Sequence, residues 1–337
     1  MTIHPLLTPL KIGNQTISNR LIVAPMAGVT DNPFRKLCKS FGAGHAVSEM
    51  MTSDTTLFAH QKTLFRANFE GEIAPVSAQI AGSDPQKLAE AARYQVANGA
   101  AMIDINMGCP AKKVCKKLAG SALLQDEALV ARLLDTVVAS VDVPVTLKTR
   151  LGYENGKENI LRVAQRAEQA GIAAIAIHGR TREDKYLGVA RYDLIREVKN
   201  SLSIPIIVNG DIDSPQKAKA VFDMTQADGI MIGRAAQGQP WLFRDITHFL
   251  QTGELLPPPT VSVLKHIVLE HLAQIYQFYG EYSGCRIARK HIAWYTTGIA
   301  NSNAFRQAMY GEDSTAGQYQ IVETFLTHAE TLEAMNR

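Results

Sequence analysis

A cysteine followed closely by four lysines poses the first chemical question. Residues 102–121 read MIDINMGCPAKKVCKKLAGS. Met102 to Asn106 form an apolar run between Gly99 and Gly108, which predicts a buried strand, and Cys109-Pro110 stands where that strand must stop. Lys112, Lys113, Lys116 and Lys117 crowd the next positions. A thiol can donate a proton or attack as a nucleophile, and cations beside it would draw a polyanion. A structural cysteine next to a solvated lysine run is the competing reading, and this stretch alone leaves both open.

Other polar residues end apolar runs in the same manner: Gln79, Asn106, Lys148, His178, Asn209 with Gly210 and Asp211, and Gly233 with Arg234. The glycines at 210 and 233 would let backbone N–H groups approach an anion, and Arg234 could add a forked contact, so a phosphorylated ligand is expected there. A lysine ammonium at position 148 would be costly without an anionic partner. Reduced flavin, with negative charge near N1, is one such partner, and Gln79 could bond the same ring as donor and acceptor. A Schiff-base lysine is the alternative for Lys148.

The elements that must position these groups repeat along the chain. Apolar runs at Arg20 to Ala24, His45 to Glu49, Val76 to Ile80, Met102 to Asn106, Pro144 to Lys148, Ala173 to His178, Ile204 to Asn209 and Gly229 to Ile232 alternate with helical spacing. Helices are expected from near Asp31 and over Asp84 to Asn98, Glu127 to Ser140, Lys157 to Ala170 and Pro215 to Thr225. A step of about 30 residues fits βα units with a parallel sheet. Eight units without a GxGxxG turn favour a (β/α)8 TIM barrel over an open doubly wound sheet. In a barrel the strand C-termini carry the active site, which is where the polar residues above fall.

From Pro240 the pattern changes. Pro257-Pro258-Pro259 is a stiff spacer, and Val261 to Tyr279, Arg286 to Thr297 and Asp313 to Glu333 predict helices with no strand between them. The expected organisation is a barrel over 1–240 and a C-terminal all-helical domain over 241–337. Arg286, Arg289 and Lys290 share one helix face, with Trp294 and Tyr295 nearby, a mixture able to grip a nucleic-acid backbone or simply to face water. The chain of 337 residues is 46% hydrophobic with a formal charge of +3, so bulk charge selects no partner. Four cysteines without zinc spacing predict free thiols, no metal and a reducing, cytoplasmic location. The opening MTIHPLLTPL has no signal-peptide pattern and no apolar run is long enough to span a membrane, so no membrane association is expected.

The segments APMAGVTD (24–31), SEMMTS (48–53), QIAGSDP (79–85), DINMGCPAKKV (104–114), LAGSALL (118–124), PVTLKTR (144–150), IHGRTR (177–182), NGDI (209–212) and MIGRAAQGQPW (231–241) together resemble the tRNA-dihydrouridine synthases, with the bacterial B type the nearest in pattern. The resemblance runs over nearly the whole chain in one register. It implies an FMN-dependent barrel with a helical tRNA-binding domain, reducing the C5–C6 double bond of a D-loop uridine, position 17, with NADPH as reductant. Carried over by position, it places Pro25, Met26 and Ala27 along the flavin, and Gln79 and Lys148 on its isoalloxazine. His178, Asn209, Gly210, Asp211, Gly233 and Arg234 would hold the ribityl and phosphate. Cys109 would be the proton donor and Asn106 would face the uracil. Lys112, Lys113, Arg286, Arg289 and Lys290 would contact tRNA, and the protein would act as a monomer. Cys115 is outside the family pattern. The alternatives are an FMN barrel acting on a free pyrimidine and a tRNA-binding module with a vestigial flavin site.

Overall fold

The structure, a computed structural model, describes residues 3–335. Eight parallel strand positions form the barrel: β1 (Leu21–Val23), β2 in two pieces (His45–Ala46 and Met51–Thr52), β3 (Ser77–Ala81), β4 (Met102–Met107), β5 (Val145–Arg150), β6 (Ala174–His178), β7 (Ile206–Asn209) and β8 (Gly229–Ile232). Each pairs with its sequence neighbour, and β8 returns to pair with β1. The two pieces of β2 lie at opposite ends of this strand order. A Val47–Ser77 bridge, with the Ser48 amide donating to the Ser77 carbonyl at 3.0 Å, joins them and closes the barrel.

All six residues of β4 are buried, as expected for a strand with helices outside and a filled barrel inside. Its alternation decides function: Ile103, Ile105 and Met107 pack under the helices, whereas Asp104 and Asn106 bond to Gln79 across the interior. One feature not expected from the sequence is an antiparallel hairpin, Leu10–Ile12 with Gln15–Ile17. Its Leu10, Ile12 and Ile17 join Ile22, Met102 and Ile207 in an apolar cluster that plugs the N-terminal end. A cavity of about 30 Å³ lies just above that plug, lined in part by Asp104 and Thr146. The opposite, C-terminal end is left for chemistry.

The helices are α1 (Asn32–Ser40), α2 (Gln61–Arg66), α3 (Pro85–Ala97), α4 (Lys112–Cys115), α5 (Glu127–Val138), α6 (Ile160–Gln169), α7 (Asp193–Ser201), α8 (Pro215–Thr225), α9 (Leu242–Thr252), α10 (Val261–Tyr295), α11 (Ser302–Gly311) and α12 (Thr315–Met335). Local chemistry starts several of them: Asp31, Asp84 and Ser214 cap α1, α3 and α8 with side-chain oxygens, each followed by proline in the first turn. Leu242, Phe243 and Ile246 of α9 belong to the barrel's core, so a boundary at 240 separates α9 from the barrel it completes. A second apolar core joins Ile267, Leu272, Ile275 and Ile292 of α10 with Phe305, Val322 and Leu326, and reaches Leu37 on α1. Gly280, at φ +73°, breaks α10 after Tyr279, and the next helical stretch begins directly after it and not at Arg286. Among the described residues, no helix is long and apolar enough to cross a membrane, and no cluster of His, Cys, Asp or Glu could hold a metal ion.

Candidate active site

A chain of side-chain hydrogen bonds rises through the barrel interior to Cys109. Asp104 accepts from Thr146 Oγ1 at 2.6 Å and from Gln79 Nε2 at 2.7 Å. Gln79 Oε1 accepts from Asn106 Nδ2 at 2.8 Å, and Asn106 Oδ1 accepts from the amides of Gly108 at 3.2 Å and Cys109 at 3.0 Å. Burial raises the Asp104 carboxyl above its ordinary pKa, and the two hydrogen bonds to its charged form work against that shift. Gln79 and Asn106 are therefore oriented by the protein itself. Gln79 Oε1 keeps one lone pair, Asn106 Oδ1 with two donors keeps none, and each nitrogen keeps one N–H for a ligand.

The Cys109 carbonyl is held just as firmly, by the Ser121 amide at 3.1 Å and the Ser121 hydroxyl at 2.9 Å. Gly120, at φ +63°, makes this approach possible: a Cβ there would sit 2.8 Å from the Cys109 oxygen. The thiol is half-buried, and burial pushes its pKa up, so it stays protonated at neutral pH. Cys115 Sγ lies against the same carbonyl at 3.6 Å and near Ser121 Oγ at 3.7 Å. Lys112, Lys113, Lys116 and Lys117 are all exposed around this loop.

Across the mouth, Lys148 is buried and its ammonium donates to Asn209 Oδ1 at 2.8 Å, while Asn209 Nδ2 donates to the Met231 carbonyl at 2.8 Å. With no carboxylate in contact among the described residues, burial and then the neighbouring Arg150 push Lys148 down to about 7. His178 is held neutral, well below its ordinary range, by burial and by Lys148, Arg150, Arg180 and Arg234 around it. Its Nε2 faces Arg180 Nη1 at 3.4 Å, a contact a neutral ring makes as acceptor. Among the described residues, the amides of Gly210, Asp211, Gly233 and Arg234 donate to no main-chain oxygen. Gly210, at φ +123°, has no room for a side chain, since a Cβ would meet Ala190 Cβ at 2.9 Å and His178 Cδ2 at 3.0 Å.

Asp211 has a scaffold contact as well. Its carboxylate takes Arg180 in a fork at 2.8 and 2.7 Å and the Ala190 amide at 2.8 Å. Burial raises the Asp211 carboxyl, but these donors outweigh it and leave the group below its ordinary value. Arg180 also donates to Leu187 and Gly188 carbonyls, fixing the loop after β6. Arg234 is exposed, 3.5 Å from Asp211 Oδ1, with its guanidinium 4.7 Å from the Tyr186 ring centre.

The turn that carries Pro25, Met26 and Ala27 meets this region through Met26, whose sulfur lies 3.6 Å from where a Cβ on Gly233 would be. Its last residue is gripped from both sides. The Gly28 amide donates to Glu49 Oε2 at 2.7 Å, and the Gly28 carbonyl accepts from Lys290 Nζ on α10. Nearby, Tyr279 donates to Asp31 Oδ2 at 3.1 Å. Of the three cations expected on one face, then, Lys290 points inward. Arg289 donates to the Glu312 carbonyl and pairs with Asp313, both at 2.9 Å. Of the three, Arg286 alone is exposed and, among the described residues, without an acid partner, 4.2 Å over the Tyr282 ring.

The barrel mouth thus brings together a protonated thiol on a held backbone, a buried lysine and, among the described residues, strand-end amides with no main-chain acceptor, groups that suit an anionic ligand. The family model for dihydrouridine synthase matches residues 22–330. The chain belongs to the dihydrouridine synthase family. It is 54% identical to tRNA-dihydrouridine synthase B of Pseudomonas aeruginosa over 95% of this chain and 97% of that protein. It is 53% identical to tRNA-dihydrouridine synthase B of Vibrio cholerae over 94% of this chain and 98% of that protein. A solved 2-naphthoyl-CoA reductase complex shares the fold with a TM-score of 0.56 at 14% identity, covering 72% of this chain and 52% of that one.

As a dihydrouridine synthase the chain is a flavin-dependent oxidoreductase, and its residues fit that cofactor. Lys148 is a buried cation in need of an anion, and the unpaired amides at the ends of β7 and β8 suit a phosphate. Sequence reading missed Asp104, Arg150 and Tyr186. A signal existed for Arg150, which follows Lys148 by two residues, the spacing of one strand face.

Proposed function

We propose that this dihydrouridine synthase uses FMN, reduced by NADPH, to saturate the C5–C6 bond of a uridine in the D-loop of tRNA, at position 17. FMN when bound and reduced supplies the hydride for C6 of the uracil. Cys109 holds the proton that C5 takes up: its pKa, raised by burial, keeps the sulfur protonated at neutral pH, the state an acid requires. Lys148 would hold the anionic part of the cofactor, whose charge favours the ammonium form, and Gly210, Gly233 and Arg234 would offer donors for its phosphate.

Asn106 keeps the thiol loop in register by accepting from the Gly108 and Cys109 amides, while its remaining amide hydrogen is available to the base. The target base must leave its stack to reach this mouth, at a cost of a few kcal/mol. Exposed Lys112 and Lys113 beside the thiol, and Arg286 on α10, offer phosphate contacts that offset it. The helices from α10 onward serve as the tRNA-binding domain, which meets the barrel at Leu37 of α1 and at the Gly28 carbonyl.

The clamped geometry around Cys109 is the observation that carries this reading. The test is spectroscopic. Purified protein should show flavin absorbance that bleaches with NADPH and returns faster when unmodified tRNA is added than with buffer or free uridine. Return at the same rate with free uridine would point instead to a free-pyrimidine reductase.

A further inference from the structure

Arg150 ends β5 with its guanidinium buried, 2% exposed, and among the described residues no carboxylate pairs with it. It is held by backbone oxygens alone. Nε donates to the Gly108 carbonyl at 2.7 Å, and Nη1 donates to the carbonyls of Thr181 at 2.8 Å and Lys185 at 2.9 Å. Its carbon centre lies 5.5 Å from the Tyr186 ring centre, on the same loop as Lys185. A buried cation with no carboxylate in contact is costly, Asp184 acting on it only from beyond contact, and the sequence bears that cost at the residue next to the reacting thiol.

The geometry points to Arg150 as the positioning residue that fixes Cys109 over the barrel mouth and ties its loop to the loop carrying Tyr186. Gly108 and Cys109 share a peptide, so holding the Gly108 carbonyl orients that peptide plane from one side. Asn106 holds the amide of the same peptide at 3.0 Å from the other side, and Ser121 holds the next carbonyl. With all three in place the peptides on both sides of Cys109 are held, and the freedom of the thiol is chiefly that of its side-chain torsion. Only a planar fork with several donors can reach two loops at once, so lysine is a partial substitute at best. Thr181 and Lys185 lie over 70 positions further along the chain, by residue number, than Gly108. Their link through Arg150 makes the thiol and the Tyr186 ring one rigid unit.

This inference rests on the reading of Cys109 as proton donor to tRNA uridine. The test uses flavin-loaded full-length Arg150→Met and Arg150→Lys beside the wild type. Flavin content and flavin reduction by NADPH should stay within about twofold of wild type. Single-turnover reoxidation by unmodified tRNA should fall about a hundredfold in Arg150→Met, the scale of a misplaced reacting group, with Arg150→Lys in between. Iodoacetamide labelling of Cys109, followed by mass spectrometry, should be faster in both variants as the loop loosens. Reoxidation and labelling like wild type, or equal losses in flavin content and reoxidation, would overturn the assignment. If Arg150→Met does not fold, Arg150→Lys carries the same comparison. A wild type that ignores tRNA would overturn the reading of Cys109, and the labelling rates would then decide the role of Arg150 alone.

Discussion

Lys290, on the second half of α10, donates its ammonium to the carbonyl oxygen of Gly28, the last residue of the turn expected along the flavin. The helical part of the chain thus holds a piece of the barrel's mouth. Burial lowers the Lys290 pKa, and the nearby Asp31 and Glu49 act to raise it. Lys290→Met should therefore weaken flavin retention and lower the melting temperature, without altering the salt dependence of tRNA binding. Arg286→Ala should do the reverse, reducing the salt slope by about one unit or less with flavin content intact. Binding titrations across a salt series separate the two, and a lower slope in Lys290→Met would return that residue to the RNA surface.

Asp31 gives a pH-dependent stability. Burial raises its carboxyl to about 6, against hydrogen bonds from Phe34 and Tyr279. The native state then binds a proton that the unfolded chain has lost between roughly pH 4 and 6. Its contribution is fully present below pH 4, is lost as pH rises through 6, and leaves a buried charge at neutral pH. Asn can cap α1 and bond Tyr279 without that charge. Asp31→Asn should raise the melting temperature at pH 7.5 and lose that advantage by pH 4; a constant difference across the range would reject the coupling.

The interior chain predicts a different loss. Asp104→Ala leaves the Thr146 hydroxyl and Gln79 Nε2 without their acceptor in the barrel, each worth on the order of 1–3 kcal/mol. Denaturant unfolding should show that destabilisation, and Cys109 should label faster with iodoacetamide as Gln79 and Asn106 lose their orientation. Wild-type stability would show that water replaces the carboxylate.

Two cations in the cofactor region differ in burial, and their removal should differ accordingly. Arg234 is exposed, so Arg234→Ala should weaken FMN by ~1 kcal/mol, about fivefold in Kd. Lys148 is buried with only Asn209 for company, and Lys148→Met should purify largely without flavin. Equal flavin retention in the two variants would contradict the placement of the cofactor's anionic ring near Lys148.

The barrel was legible in the sequence because strands buried on both faces recur with a helical spacer between them, and because polar residues ending those runs share one rim. Cys109, Lys148 and the 210 and 233 glycines stood out for the same reason. What pairs with what was not legible. Gln79 and Asn106 are 27 positions apart, and Lys290 and Gly28 are 262 apart, so no local spacing shows that these groups bond each other. The hairpin over 10–17 was hidden because its strands are three residues long. The break of α10 at Gly280 was read only as an end, because the short gap to Arg286 gave no sign that helix resumes at once.

The central claim is that Cys109, and not its neighbour Cys115, donates the proton to the reduced base. Cys115 meets Ser121 through its thiol and Cys109 through its carbonyl, but only Cys109 sits at the end of β4 with its amide fixed by Asn106. Single-turnover reoxidation of the reduced flavin by unmodified tRNA, measured in Cys109→Ala and Cys115→Ala, decides between them. Cys109→Ala should bind flavin and accept electrons from NADPH normally yet turn over uridine ~10²- to 10⁴-fold more slowly, the range of a lost general acid, with Cys115→Ala close to wild type. Full activity in Cys109→Ala, or a loss confined to Cys115→Ala, would contradict it.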